Sequence, residues 1–178
     1  MPTLTHLECG RCRKAADAAA VASRCPCGGE LLARYDLEAI RRSWSREWLG
    51  HAPATMWRYA PLLPVANPNS IVSLGEGMTP LVRARRLGAA LGLKDLWIKD
   101  EGVNPAGSVE ARGFSCAVSM AAEGGIREVS LSAAGDAACA LAAYAAAAGV
   151  HAAIGFPRGV SQTSYVECLA CGATVSPG

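Results

Sequence analysis

The sequence predicts an α/β fold: a small open parallel sheet with helices on both faces, preceded by a small separate module. Three observations carry that prediction. From residue 95 onward, short β-like apolar runs alternate with helical stretches of about 10–15 residues. The segment Lys99–Gly113, KDEGVNPAGSVEARG, joins one such run to one such helix through a polar turn with glycine. Ahead of both, Cys9-x-x-Cys12 and Cys25-x-Cys27 form two close cysteine pairs.

Composition narrows the function classes. A chain of 178 residues is long enough for one domain with an appendage. Its 51% hydrophobic content is inflated by alanine, which supplies 35 residues, and no run reaches the roughly 18 apolar residues of a spanning helix. The start, MPTLTHLECG, has no basic stretch followed by an apolar one, so secretion is not predicted and a cytoplasmic location is. A net charge of +2 with scattered arginines speaks against nucleic acid or an acidic membrane as partner.

Residues 1–35 are read as a zinc-ribbon module. Two short-loop thiolate pairs, with Gly10, Gly28 and Gly29 to turn the chain, can close a tetrahedral site of Cys9, Cys12, Cys25 and Cys27. Such a site leaves no ligand position open, so its zinc is structural, and about 30 residues need that help to fold. A decayed site that no longer holds metal is the alternative. A nucleic-acid-binding ribbon, resting on Arg11, Arg13, Lys14 and Arg24, is the weakest reading.

Residues 36–60 are read as a connecting helix and linker. Asp36 caps a helix carrying Leu37, Ile40 and Trp44, with Trp48 one turn on. Residues 61–178 form the αβ portion. Arg83, Arg85 and Arg86 fall at the start of a short helix over 84–91 and read as a solvated face. Strands are predicted over 96–99, 128–131, 152–156 and 173–175, and helices over 107–122, 137–148 and 161–170. The run LAAYAAAAG has small side chains and must lie close to the sheet. Cys168-x-x-Cys171 ends a helix, where the dipole does not activate a thiol, and Cys116 and Cys139 read as core.

The strand, glycine turn and helix start at 96–113, taken with SLGEGMTPL (Ser73–Leu81), resemble threonine synthase and its relatives among the fold type II pyridoxal-phosphate enzymes. CGGELLARYDL (Cys27–Leu37) is similar to the end of the ribbon that many threonine synthases carry, and CGATVSPG to the family's YGATV strand. The family turn reads roughly N-P-T-G-S-F-K-D-R-G, and its lysine binds the cofactor as a Schiff base. Here Glu110 occupies that position, so the resemblance assigns no catalytic residue. It places a vestigial cofactor cleft at Asn104, Gly107, Ser108, Gly135 and Asp136. Ala106 and Ala111 replace a threonine and an aspartate of the turn, Met78 stands where asparagine is common, and Asp136 replaces an amide donor. The family's glycine-rich phosphate loop is expected beyond residue 178. Lys99 is the one lysine near the expected cleft, either a relocated Schiff base or an ion-paired neighbour of Asp100 and Glu101.

The resemblance therefore implies a pseudoenzyme that does not bind pyridoxal phosphate. It would act through a protein partner, or as a homo-oligomer, covering the surface that the second domain occupies in the family. The alternative is one part of a split lyase acting on an O-phosphohomoserine-like substrate, with a companion chain supplying the lysine and the phosphate loop.

Overall fold

A computed structural model describes residues 3–18, 20, 22 and 24–177. Positions 1, 2, 19, 21 and 23 of the predicted 1–35 module, and 178 of the αβ portion, lie outside the described residues. The module is a three-stranded antiparallel sheet of β1 (Leu4–Cys9), β2 (Ala15–Ala16) and β3 (Leu31–Tyr35), in the order β2-β1-β3. Leu7 and Cys9 point to its buried side.

The connecting segment is two short helices where the sequence predicts one. Asp36 caps α1 (Leu37–Ser43) by accepting from the Ala39 amide at 2.8 Å. Trp44 then turns extended, and the Ser45 hydroxyl caps a fresh start at α2 (Arg46–His51). The break lets Trp44 meet Trp48 and Tyr59 at ring-centroid distances of 5.7 and 5.8 Å.

The next strands depart from the expected topology. β4 (Leu81–Arg83) and β5 (Trp97–Lys99), joined through α3 (Arg85–Ala90), pair antiparallel as a separate ribbon in register Leu81↔Lys99 and Arg83↔Trp97. The predicted strand at 96–99 is therefore real, but it takes its neighbour in sequence as partner and stays out of the parallel sheet. Helix α4 (Glu110–Glu123) begins three residues later than predicted. Ala106 and Gly107 hold φ of +55° and +67°, a left-handed kink that no α-helix can contain.

The parallel sheet has three strands, β6 (Glu128–Ser132), β7 (His151–Phe156) and β8 (Thr174–Pro177), in sequential order. Helices α5 (Asp136–Ala148) and α6 (Gln162–Ala170) are the crossovers. Gly149, at φ +65°, ends α5, and the Ser161 hydroxyl caps α6 through the Ser164 amide at 3.2 Å. Sequential order with right-handed crossovers puts both helices on one face. Val129, Leu131, Ala152, Ile154 and Phe156 belong to the core there. On the other face Ser130, Ser132, His151, Thr174 and Ser176 are exposed, so the expectation of helices on both faces is corrected.

The alanines of α5 explain its central place. Ala138, Ala140, Ala142 and Ala145 are buried to 1% exposure or less, so the helix lies close against β6 and β7 while α4 and α6 flank it. Tyr144, fully buried, carries its one polar atom through this layer toward the segment before β4.

Candidate functional site

The candidate cleft is built on two polar networks. The first centres on Glu76, which is 0% exposed. Its carboxylate accepts from Trp57 Nε1 at 2.8 Å, Ser115 Oγ at 2.7 Å, Tyr144 Oη at 2.6 Å and the Leu74 amide at 3.0 Å. Burial pushes the Glu76 pKa up, but these donors outweigh it and hold the group below its ordinary value. The same charge pushes the Tyr144 phenol well up, on top of its own burial. One side chain thus ties the SLGEG turn to α4 and α5.

Gly77, at φ +111°, follows. A Cβ there would stand 2.4 Å from the Met56 amide nitrogen, so only glycine lets these backbones meet. Its amide donates to Asn104 Oδ1 at 3.0 Å, and this bond joins the first network to the second.

The second network surrounds Glu101. Arg112 grips it with two bonds, Nε to Oε2 at 2.6 Å and a terminal nitrogen to Oε1 at 2.9 Å. Thr79 Oγ1 donates to Oε1 at 2.5 Å and Asn104 Nδ2 to Oε2 at 2.8 Å. The Arg112 guanidinium first, and then the Thr79 hydroxyl, hold the Glu101 pKa down at about 2.

A pH dependence follows from this. Glu101 has a folded pKa below its unfolded value, so its contribution is complete above the unfolded pKa and is lost as the pH falls from about 4.5 toward 2. Glu101→Gln is expected to destabilise the chain by about 1 kcal/mol at pH 7, since the pair is partly exposed, and to remove this part of the acid sensitivity. Urea melts of both proteins at pH 7 and pH 3 check it; equal losses at the two pH values would refute the assignment.

Within this frame the predicted site residues can be placed. Asn104 is buried with its amide and carbonyl both engaged, so it has no donor turned to a ligand. Gly107 closes a turn onto the Asn104 carbonyl at 2.9 Å, and Ser108 Oγ accepts from the Glu110 amide at 3.3 Å. The 105–107 turn packs against α5, the helix that Gly135 and Asp136 open. Glu110 sits exposed in the first turn of α4, where the helix dipole favours its charge. Lys99 donates its amine to the Thr79 carbonyl.

The four predicted ligand cysteines come together. The Sγ atoms of Cys9, Cys12, Cys25 and Cys27 lie within 4.8 Å of one another, the Cys9–Cys27 and Cys12–Cys25 pairs at 3.5 and 3.7 Å. The amides of Arg11 and Cys12 each donate to Cys9 Sγ at 3.4 Å, and the Cys12 contact leads in drawing that thiol down to about 6. The Gly29 amide pulls on Cys27, but the neighbouring thiols and burial win and push it up to about 12. A Cβ on Gly29 would meet Cys9 Sγ at 2.6 Å, so glycine is required where the loop closes over the sulfur. The other cysteines behave as core thiols: burial pushes Cys116 up to about 11 and Cys168 up to about 12.

Sequence reasoning missed the Glu76 cluster and the Glu101–Arg112 pair. The signal for the first was a glutamate between two glycines, in a phrase whose neighbours are apolar.

Residues 72–177 match the family model described as pyridoxal-phosphate dependent enzyme. The chain belongs to this family, as a threonine synthase-like, fold type II member. It is 38% identical over 169 residues to the threonine synthase of Methanocaldococcus jannaschii, a match covering 94% of this chain and 42% of that protein. Against the threonine synthase of Methanosarcina acetivorans it is 35% identical over 172 residues, covering 96% of this chain and again 42% of the relative. The chain thus spans less than half the length of these relatives. A crystal structure of a pyridoxal 5'-phosphate-dependent aspartate racemase superimposes with a TM-score of 0.53 at 26% identity, covering 56% of this chain and 32% of that one.

Proposed function

We propose that this chain is a non-catalytic threonine synthase-like protein that acts by binding another protein. Glu110 carries the reading. It stands where the family's turn has its lysine, and a carboxylate cannot form the imine that holds pyridoxal phosphate. The surroundings agree. Asn104 and Ser108 spend their polar atoms inside the loop, the Lys99 amine rests on a backbone carbonyl, and Glu110 and Asp136 give the openings of α4 and α5 a negative charge unsuited to an anionic cofactor. The residues present do not fit the cofactor.

The four-cysteine cluster fits a metal, and its all-sulfur, close-packed donor set supports structural zinc in this reading. No helix among the described residues is long and apolar enough to cross a membrane, and a cytoplasmic location belongs to this reading. A second reading, part of a split threonine synthase-like lyase acting on an O-phosphohomoserine-like substrate, is favoured by the intact left-handed turn at Ala106–Gly107.

The purified chain titrated with pyridoxal phosphate, before and after borohydride, tests the proposal. Neither the unmodified chain nor Glu110→Lys is expected to give a one-to-one reducible chromophore. A chromophore in the unmodified chain would overturn the proposal, and Lys99 would be the residue to change next.

A further inference from the structure

We infer that the connection from β4 through α3 to β5 forms a binding site for a small, soluble phosphate monoester with an apolar body. The site lies at the far end of the ribbon from the candidate cleft. Register puts Leu81↔Lys99 at the cleft end, beside Thr79 and Glu101, and Arg83↔Trp97 at the other.

Local packing builds the site. Gly88 is the buried residue of α3, and a Cβ there would stand 2.8 Å from the Leu93 carbonyl oxygen and 3.4 Å from Leu96 Cβ. Glycine therefore lets the helix touch the segment that returns to β5. Two backbone bonds hold the contact, from the Leu93 amide to the Gly88 carbonyl at 2.8 Å and from the Ala84 amide to the Leu96 carbonyl at 2.9 Å. Residues on both sides of this contact line a cavity of about 450 Å³, within the range of small-molecule sites. Ala89, Leu93 and Leu96 give it apolar lining, and Arg83, Arg85 and Lys94 give it positive charge.

The three cations are not equivalent, and the difference identifies the ligand. Arg83 is committed: it pairs with Asp95 at 2.7 Å, donates to the Lys94 carbonyl at 3.4 Å and lies over Trp97 at 5.8 Å. That pairing also neutralises the acid nearest the cavity in sequence. The side chains of Arg85 and Lys94 have no ion-pair or hydrogen-bond partner among the described residues. Two free cations suit a dianion. A phosphate monoester carries about −1.5 to −2 at pH 7, whereas a single carboxylate leaves one cation unmatched. Arg85 offers the planar fork that grips two phosphate oxygens, and Lys94 adds a point charge. The apolar lining calls for an organic body on the phosphate, because a bare ion would leave Leu93 and Leu96 uncovered. The run Arg83, Arg85, Arg86, which in the sequence reads as one solvated face, is thereby divided, since Arg86 does not line the cavity.

Equilibrium dialysis of the full chain against 1-naphthyl phosphate, with amide NMR shifts to locate the ligand, provides the test. One molecule per chain is expected, with shifts centred on residues 83–96. Inorganic phosphate and 1-naphthalenemethanol are each expected to bind at least tenfold more weakly, since each keeps only half of the match. Arg85→Gln and Lys94→Gln are each expected to weaken the ester at least tenfold with the thermal transition unchanged, both side chains being exposed. Arg86→Gln, the same charge change outside the cavity, is expected to alter affinity less than twofold. No saturable binding, shifts centred elsewhere, or inorganic phosphate binding as tightly as the ester would each overturn the inference. Equal losses in Arg86→Gln and Arg85→Gln would overturn it too, by showing that diffuse surface charge holds the anion. Capture by vesicles containing phosphatidic acid, without binding of the soluble ester, would assign the phosphate to a lipid headgroup and overturn the soluble ligand.

Discussion

Glu76→Leu is expected to destabilise the chain by roughly 3–5 kcal/mol, the range for breaking a buried, hydrogen-bonded charge network. Leucine fills most of the volume but accepts nothing. Tyr144 Oη, fully buried, and the Leu74 amide lose the partners they have at 2.6 and 3.0 Å. Trp57 Nε1 keeps Ser115 Oγ at 2.9 Å, and that hydroxyl can still donate to the Val72 carbonyl at 2.8 Å, so the loss is not the sum of four bonds. Against a typical stability of about 5–15 kcal/mol, the remainder is small. The double variant Glu76→Leu, Tyr144→Phe removes an orphaned hydroxyl and is expected to recover about 1 kcal/mol or more. Urea denaturation of the three proteins measures both steps. A loss under about 1 kcal/mol for the single variant would mean that water reaches the cluster, and that Glu76 does not anchor the cleft.

What the sequence made legible was what local chemistry decides. α5 and α6 were readable because alanine propensity, the Gly149 terminus and the Ser161 cap act within one turn of the chain. The four-cysteine cluster was readable because ligand spacing is itself local geometry. The partner of β5 was not, since an apolar triplet such as Trp97-Ile98-Lys99 suits a parallel or an antiparallel neighbour equally. The start of α4 was misplaced because Ala106, unlike glycine, gives no hint that it will adopt φ +55°. Glu76 was invisible for a different reason: its donors come from positions 57, 74, 115 and 144, and no spacing links them.

If the four cysteines hold zinc as proposed, removing the metal is expected to have the larger effect, confined to the N-terminal module. Zinc held by four thiolates is worth about 10–16 kcal/mol of apparent binding free energy in small zinc domains, more than a three-stranded sheet of this size can supply from its core. Cys9→Ser, or prolonged chelation, should reduce bound zinc from one per chain to none and release the amides of β1 and β3 to fast exchange. Those of α5 and β7, buried in a separate core, should stay protected. Two glycine variants then separate metal geometry from backbone strain. Gly29→Ala drives a Cβ to 2.6 Å from Cys9 Sγ and 2.8 Å from Arg11 Cβ, so it is expected to weaken zinc at least tenfold. Gly28→Ala meets nothing within 4 Å and costs only its left-handed φ of +82°, about 1 kcal/mol. Zinc affinity measured by competition with a chromophoric chelator decides the matter. Equal losses in the two variants would mean that the loop, and not the contact with the Cys9 sulfur, sets the site; full retention of structure without zinc would mean that the thiols pack as core.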